Sequence, residues 1–246
     1  MNSRMKKVLK GFSEKIDGSM YLPMADALPE NVANRKRFFE TSGLGGRKIV
    51  VANMVHGTNV EIVDNGAEYF IPETDALVTR EPGIILTITG ADCFPVYLEE
   101  KSAGIIGLVH CGWRGIVGEI LPKAIATIVK MGGRAENMTL TIGPGICAKH
   151  FEIKEDVLPL FSTYAEFVKE ERSIHVDLKG ILLKQASVAG IVPENIADAN
   201  ECTYCLSEKY FSYRRDSSPS LASDRDKPFY LEAQIAYIVQ FPHRKF

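Results

Sequence analysis

Residues 91–115 read ADCFPVYLEEKSAGIIGLVHCGWRG, and this stretch carries the pattern that decides the fold class. Its apolar run at residues 105–109 predicts a β-strand covered on both faces. His110 follows that run directly, and Cys93 lies in a separate motif at residues 91–96. Because α/β proteins place working side chains in the loops after strand ends, His110 is a candidate functional residue.

Short β-rich runs and amphipathic helices continue on both sides of this stretch. Strands are predicted at Ile49–Ala52, Val60–Val63, Ala76–Thr79, residues 84–89 and Met138–Ile142. Helices are predicted at residues 29–40 with Asn31 as a possible cap, at 116–131 with a kink or a later start at Pro122, and at 177–190. Residues 231–239 fit either a helix or a strand. Mixed elements without a break predict a single α/β or α+β domain over residues 1–246.

Composition limits the class of protein. The 246 residues are 46% hydrophobic and carry a net charge of −2, so nothing in the charge balance favours nucleic-acid binding. No apolar run has the length of a signal peptide or a membrane span, so no membrane partner is expected. Five cysteines are an odd number, which argues against a disulfide framework and favours a reducing compartment, the cytoplasm.

Three residues in three motifs are candidate metal ligands: His56, Cys93 and His110. Two imidazoles and one thiolate make three protein ligands, which is the number typical of a catalytic zinc site. The fourth position of such a site stays open for water or substrate. The alternative for each is structural, as a core histidine with a satisfied hydrogen bond or a buried cysteine. Their spacing is also unlike the short pairs of a zinc finger, so spacing alone does not decide.

The same cysteine admits a second chemistry. A Cys93 thiolate paired with His110 is the minimal apparatus of a metal-free cysteine hydrolase or amidase. The sequence separation does not distinguish this pair from metal ligation. His56 favours the metal, because a catalytic dyad does not need a second histidine.

Three arginines are candidate anion-binding residues. Arg114 follows His110 by four residues beside a predicted helix start, where it suits a phosphate or carboxylate; the alternative is a surface ion pair with Glu119. Arg214 and Arg215 fit either an anion pocket that binds substrate or a buried ion-pair cluster.

The remaining cysteines and histidines give weaker signals. Cys202 and Cys205 form a lone CxxC, which is a weak metal or redox signal without a second pair. Cys111 and Cys147 have no evident role. The other histidines are predicted to be surface groups: His150, His175 and His243.

Taken together, six motifs resemble the YfiH-like family, also called the laccase-domain or polyphenol oxidoreductase family. They run in order from about residue 47 to residue 216 and lie at residues 56–58, 74–79, 91–96, 110–115, 142–144 and 211–216. The block at residues 91–115 is the most specific of them. Two segments depart from the family pattern: residues 12–18, where the family's basic group is missing or replaced by Lys15, and residues 217–220.

The resemblance implies a fold, a metal and an activity. The fold would be an α/β/β/α sandwich of mixed sheets, with zinc held by His56, Cys93 and His110. On this hypothesis the predicted catalytic residues are Cys93, His110 and Arg114, and the position of Arg114 beside His110 at a predicted helix start suits it to hold phosphate. The substrates would be purine nucleosides and phosphate, with phosphorolysis of adenosine, inosine and S-methyl-5′-thioadenosine and deamination of adenosine. The older family label is copper-dependent oxidation of phenols, and this ligand set also suits copper.

Overall fold

Two mixed β-sheets lie at the centre of the computed structural model, which describes residues 7–23, 27–217 and 232–242. The first sheet contains, in spatial order, β1 (Val8–Phe12), β14 (Gln234–Gln240), β6 (Ile85–Gly90), β2 (Ile49–Ala52) and β4 (Phe70–Ile71). The second contains β13 (Ile196–Asp198), β9 (Met138–Ile142), β7 (Phe94–Glu100), β8 (Ile105–Cys111), β5 (Ala76–Thr79) and β3 (Val60–Val63). A small third sheet contains β10 (Glu152–Ile153), β12 (Ile174–Val176) and β11 (Val168–Glu170).

Helices cover the outer faces of the two large sheets. They are α1 (Pro29–Thr41) on the first sheet, and α2 (Trp113–Val117), α3 (Ile120–Lys130) and α4 (Leu178–Val188) on the second. The one-turn helix α5 (Tyr213–Asp216) follows β13 in the chain and is bonded to Asp92 through the backbone N–H of Arg214. Short 3-10 segments lie at Lys15–Asp17, Ala135–Asn137, Leu158–Phe167 and Pro193–Asn195. None of the helices within the described ranges combines the length and apolar character that crossing a bilayer requires.

Three apolar cores hold these layers together. Leu86 of β6 packs with Leu108 of β8 in the core between the sheets. Phe39 of α1 joins Ile85 and Val239 on the outer face of the first sheet, and α3 and α4 pack on the second sheet. The order of layers is therefore α/β/β/α, which confirms the predicted fold class.

Most predicted elements are present, with one helix divided in two. The predicted helix at 116–131 is split into α2 and α3, because Glu119 adopts a left-handed conformation with φ of 64°. Pro122 lies in the first turn of α3, where its missing N–H costs no helical hydrogen bond, so the later start is confirmed. The closing element is the strand β14.

Two local predictions were incomplete or wrong. Asn31 does not cap α1: Leu28 occupies the cap position, and the Asn31 side chain donates to the carbonyl of Tyr21 instead. The sequence pattern also missed β7, although this strand lies between β8 and β9 in the second sheet. Pro95 lies near its beginning, which is where a strand tolerates a proline.

Candidate metal centre

His56, Cys93 and His110 converge at one end of the two sheets. His56 lies in the loop after β2, Cys93 lies in the turn that joins β6 to β7, and His110 lies near the end of β8. Their donor atoms all lie within 4.8 Å of one another. The turn at Cys93 crosses from the first sheet to the second, so the fold brings together residues that are far apart in sequence.

The Asp75 carboxylate positions both histidines. It is fully buried just before β5, and its Oδ1 lies 2.9 Å from Nδ1 of His110. It also accepts backbone N–H groups of the other loop, from Val55 at 3.2 Å, His56 at 3.0 Å and Gly57 at 2.8 Å. Because Nδ1 of His110 is held by Asp75, Nε2 is the ring nitrogen left for a metal.

The three ligands differ in exposure, which leaves one side of the site open. His110 is only 3% exposed, Cys93 is half-buried and His56 is exposed. The two imidazole rings lie edge to face with centroids 5.0 Å apart. His56 has a left-handed backbone with φ of 57°, which is uncommon for histidine, and the hydrogen bonds of its loop to Asp75 stabilise that conformation.

Cys93 and His110 shift each other's titration. Burial alone would raise the pKa of Cys93, but the charge and hydrogen bond of His110, together with His56, lower it to about 6. Burial would lower the pKa of His110, yet the thiolate of Cys93 and the hydrogen bond to Asp75 raise it to about 9. Burial also opposes ionisation of Asp75, but the hydrogen bond and charge of His110 keep the pKa of that carboxyl below its usual value.

Gly112 lies against all three ligands. A Cβ atom at this position would lie 2.9 Å from Cδ2 of His56, 3.1 Å from Sγ of Cys93 and 3.5 Å from Cε1 of His110. Only a residue without a side chain leaves that space free. The absence of a Cβ at residue 112 therefore leaves room where the three side chains meet.

A buried aspartate fixes the turn that carries Cys93. Asp92 has φ of 85° and accepts hydrogen bonds from the Thr203 hydroxyl at 2.7 Å and the Ser212 hydroxyl at 3.0 Å. The backbone N–H of Arg214 donates to the same carboxylate at 2.7 Å. The turn at Cys93 is thus bonded to the segment at 203–214.

Arg114 lies exposed at the beginning of α2. Its guanidinium stacks over the ring of Trp113 at 4.2 Å. Glu119, the alternative partner considered for it, accepts a hydrogen bond from the Tyr164 hydroxyl at 3.4 Å and forms no ion pair with Arg114. Within the described ranges no carboxylate lies at ion-pair distance from Arg114. The guanidinium is therefore available to an anion from solution.

Arg214 and Arg215 are engaged to different degrees. The five N–H groups of Arg215 are all used: two reach Asp216, and three reach backbone carbonyls, those of Thr203, Tyr204 and Tyr210. Arg214 donates through Nη1 to the carbonyl of Glu152 at 2.8 Å and to that of His150 at 3.4 Å, and its side chain is exposed. Of the two, Arg214 retains more capacity to bind a further anion.

Sequence reasoning singled out the three residues that converge here but not the residues that support them. Asp75 lies in one of the six motifs of the resemblance, and an aspartate directly before a buried strand was the signal available for it. Gly112 gave no signal beyond its place between His110 and Arg114. Of the three histidines predicted to lie at the surface, His150 and His175 are half-buried and His243 lies outside the described residues.

Comparisons with known proteins place the chain in a family. Residues 9–220 match the family described as multi-copper polyphenol oxidoreductase laccase. A purine nucleoside phosphorylase from Deinococcus radiodurans is 38% identical over 194 residues, which are 77% of this chain and 74% of that protein. A protein named adenosine deaminase RL5, from an unknown prokaryotic organism, is 29% identical over 183 residues, 68% of this chain and 70% of that protein.

A solved structure gives the same architecture. The crystal structure of YlmD from Geobacillus stearothermophilus matches with a TM-score of 0.84 at 26% identity. The match covers 96% of this chain and 92% of that chain. The layered fold is therefore shared over nearly the whole length of both proteins.

Proposed function

Since the chain belongs to the multi-copper polyphenol oxidoreductase laccase family, the YfiH-like family indicated by its motifs, we propose that it is a zinc-dependent purine nucleoside phosphorylase that also deaminates adenosine. Relatives with those two activities in their names supply the substrate class. The convergence of His56, Cys93 and His110 is the observation that carries the metal chemistry. The proposed substrates are adenosine, inosine and S-methyl-5′-thioadenosine, with phosphate.

The donor set fits zinc. One thiolate and two imidazoles are borderline-soft ligands, and a three-residue set with an exposed side is typical of a catalytic site. The space beside Gly112 supports this assignment, since a side chain there would lie within contact distance of every ligand. When bound, zinc would supply Lewis-acid polarisation of an oxygen on phosphate or water.

The residues around the site have separate proposed roles. With zinc bound, Asp75 would hold His110 in one orientation, with the proton on Nδ1 and Nε2 as the donor to the metal. The same carboxylate fixes the loop of His56, so a single residue sets the distance between two ligands. The protein thereby aligns the donors before any substrate binds, which reduces the cost of reorganisation.

Arg114 is proposed to bind phosphate. It is exposed, stacked on Trp113 and close in sequence to His110, and Glu119 does not neutralise it. A guanidinium forms paired hydrogen bonds to phosphate oxygens, so it would both bind and orient the nucleophile. Arg214 is the second candidate for contact with the substrate, and Arg215 would shape the pocket through its contacts with backbone carbonyls.

One observation favours a second function. Hydrogen bonds connect Asp75 to His110 and His110 to Cys93. The pKa of Cys93, lowered to about 6, favours the thiolate in the metal-free protein. That arrangement suits a Cys/His hydrolase or amidase without metal. Removal of zinc distinguishes the two functions, because a metal-free hydrolase would keep its activity and a zinc enzyme would lose it.

The test is product analysis of the zinc-loaded protein. Adenosine, inosine and S-methyl-5′-thioadenosine are each supplied with and without phosphate, and products are separated by chromatography. We expect free base and ribose 1-phosphate, or its methylthio derivative, only in the presence of phosphate, and inosine from adenosine in both conditions. Base release that ignores phosphate would indicate hydrolysis. Oxygen uptake with a phenol and copper, without these nucleoside reactions, would favour the oxidase.

A further inference from the structure

A second group of metal-ligating side chains lies outside the centre at Cys93. Cys147 and His150 belong to the loop after β9, and Cys202 and Cys205 belong to the loop after β13. Their four donor atoms all lie within 4.8 Å of one another. We propose that these residues bind a structural zinc ion in a closed site of three thiolates and one imidazole.

The sheet topology explains why the two loops meet. β9 and β13 are neighbouring parallel strands, so their carboxyl ends lie at the same edge of the second sheet. The pairing continues beyond the strands through a parallel bridge between Gly145 and Cys202. Gly145 is needed at this crossing, since a Cβ there would lie 2.4 Å from the ring of Phe94. A CxxH pair and a CxxC pair are thus brought to one point.

The donor separations suit tetrahedral zinc. Nδ1 of His150 lies 3.3 Å from Sγ of Cys147 and 3.4 Å from Sγ of Cys205. Zinc bonds of about 2.3 Å to sulfur and about 2.0 Å to nitrogen in a tetrahedron separate the ligand atoms by roughly 3.5 to 3.8 Å. Small outward movements of the four donor atoms would therefore be enough to coordinate zinc. Four protein ligands leave no open position, which is typical of a structural rather than a catalytic zinc site.

The surrounding contacts hold the ligands in place. The backbone N–H of Cys147 donates to Sγ of Cys202 at 3.3 Å, a contact that stabilises a thiolate. The ring of His150 stacks on Tyr204 with centroids 4.1 Å apart. Arg215 donates to the carbonyl of Tyr204, within the Cys202–Cys205 loop, at 2.7 Å. Both loops are thus shaped by contacts that need no metal.

The site would stabilise the segment that supports the turn at Cys93. Thr203 lies between two of the proposed ligands, and its hydroxyl bonds to Asp92 at 2.7 Å. Asp92 directly precedes Cys93 in sequence. A zinc ion that joins the two loops would therefore restrict the motion of Thr203 and, through Asp92, of the first centre.

Zinc content of the purified full-length protein tests the proposal. We expect two zinc ions per wild-type chain, one in Cys205→Ser and two in Cys205→His, because histidine restores a ligand. Cys205 is exposed, so its substitution disturbs the core least. Cys111→Ala is the matched control, since that thiol belongs to neither cluster, and it should retain both ions.

X-ray absorption on Cys93→Ala provides a measurement that does not require a change in the second site. Once the first centre is removed, the remaining zinc should show three sulfur and one nitrogen neighbours at about 2.3 and 2.0 Å. If Cys205→Ser contained as much zinc as the wild-type protein, the proposal would be overturned. A disulfide among Cys147, Cys202 and Cys205 in native protein, or iron in place of zinc, would overturn it as well. Zinc lost in Cys205→Ser but unchanged in Cys93→Ala would instead reject the first centre alone.

Discussion

Oδ1 of Asp75 lies 2.9 Å from Nδ1 of His110, and the same carboxylate accepts the backbone N–H of His56 at 3.0 Å. One buried side chain thus positions two of the three candidate ligands. A carboxylate that orients a ligating histidine is a common partner of zinc sites. If these residues bind the proposed zinc, we expect its affinity to depend on Asp75, which is not itself a candidate ligand.

Asp75→Asn should weaken zinc binding at the first centre by about 10- to 100-fold. The amide removes the negative charge that holds the proton on Nδ1 of His110, and its NH₂ group cannot accept the backbone N–H groups of the His56 loop. Competition with a chelator measures the affinity. Asp64→Asn, in an exposed turn, is the matched control and should leave it unchanged. Equal affinities in the two variants would show that Asp75 does not position the ligands.

Gly112→Ala should lower zinc occupancy with little change in overall stability. The added Cβ would lie 2.9 Å from Cδ2 of His56 and 3.1 Å from Sγ of Cys93, so the ligands must move apart. The backbone itself is not strained, because Gly112 has φ of −74°. Metal analysis and thermal unfolding measure the two effects. Gly66→Ala in an exposed turn serves as control, and full zinc occupancy in Gly112→Ala would contradict the assigned role.

Arg114→Ala should raise the KM for phosphate by about tenfold or more, since a hydrogen bond to a charged group contributes about 1.5 to 3 kcal/mol. The zinc content should not change. Steady-state kinetics with varied phosphate at saturating inosine measure the effect. Arg134→Ala, in an exposed ion pair with Glu136, is the control. An unaltered phosphate dependence would make Arg114 a structural residue that stacks on Trp113.

In metal-free protein, Cys93 should react with iodoacetamide at lower pH than an ordinary thiol. The imidazolium of His110 lowers the pKa of Cys93 to about 6, so the thiolate fraction and the alkylation rate rise through that pH. His110→Ala removes the stabilising charge and should move the midpoint upward. Peptide mapping separates Cys93 from the exposed Cys205. A midpoint near the usual thiol value in wild-type protein would show that the pair does not ionise in this way.

The sequence predicted the strands that are nearly continuous apolar runs, such as β6 and β8, because both faces of those strands are buried. It missed β7, whose run contains Pro95, Glu99 and Glu100. Those carboxylates are buried because Lys10 pairs with Glu99 at 2.6 Å and Ser102 donates to Glu100 at 2.6 Å. Such compensation depends on tertiary contacts, which a local pattern of hydrophobicity does not contain.

Local motifs predicted one part of the site, and the rest depends on which strands pair in the fold. His56, Cys93 and His110 are chemically distinctive residues in distinctive motifs, and the structure brings them together. Cys147 and His150 were not connected with Cys202 and Cys205, because the parallel pairing of β9 and β13 that joins them is not visible in the sequence. Spacing gave a weak signal for Cys202 and Cys205 and none for Cys147 and His150, and the fold brings the four residues into one cluster.

The most direct test of the central claim is the formation of ribose 1-phosphate from inosine by wild-type and Cys93→Ala protein, each supplied with zinc and phosphate. The account predicts that the wild-type protein forms ribose 1-phosphate and hypoxanthine in equal amounts. It predicts that Cys93→Ala loses this activity together with one zinc ion while remaining folded. Ribose in place of ribose 1-phosphate, or unchanged turnover in Cys93→Ala, would contradict the account.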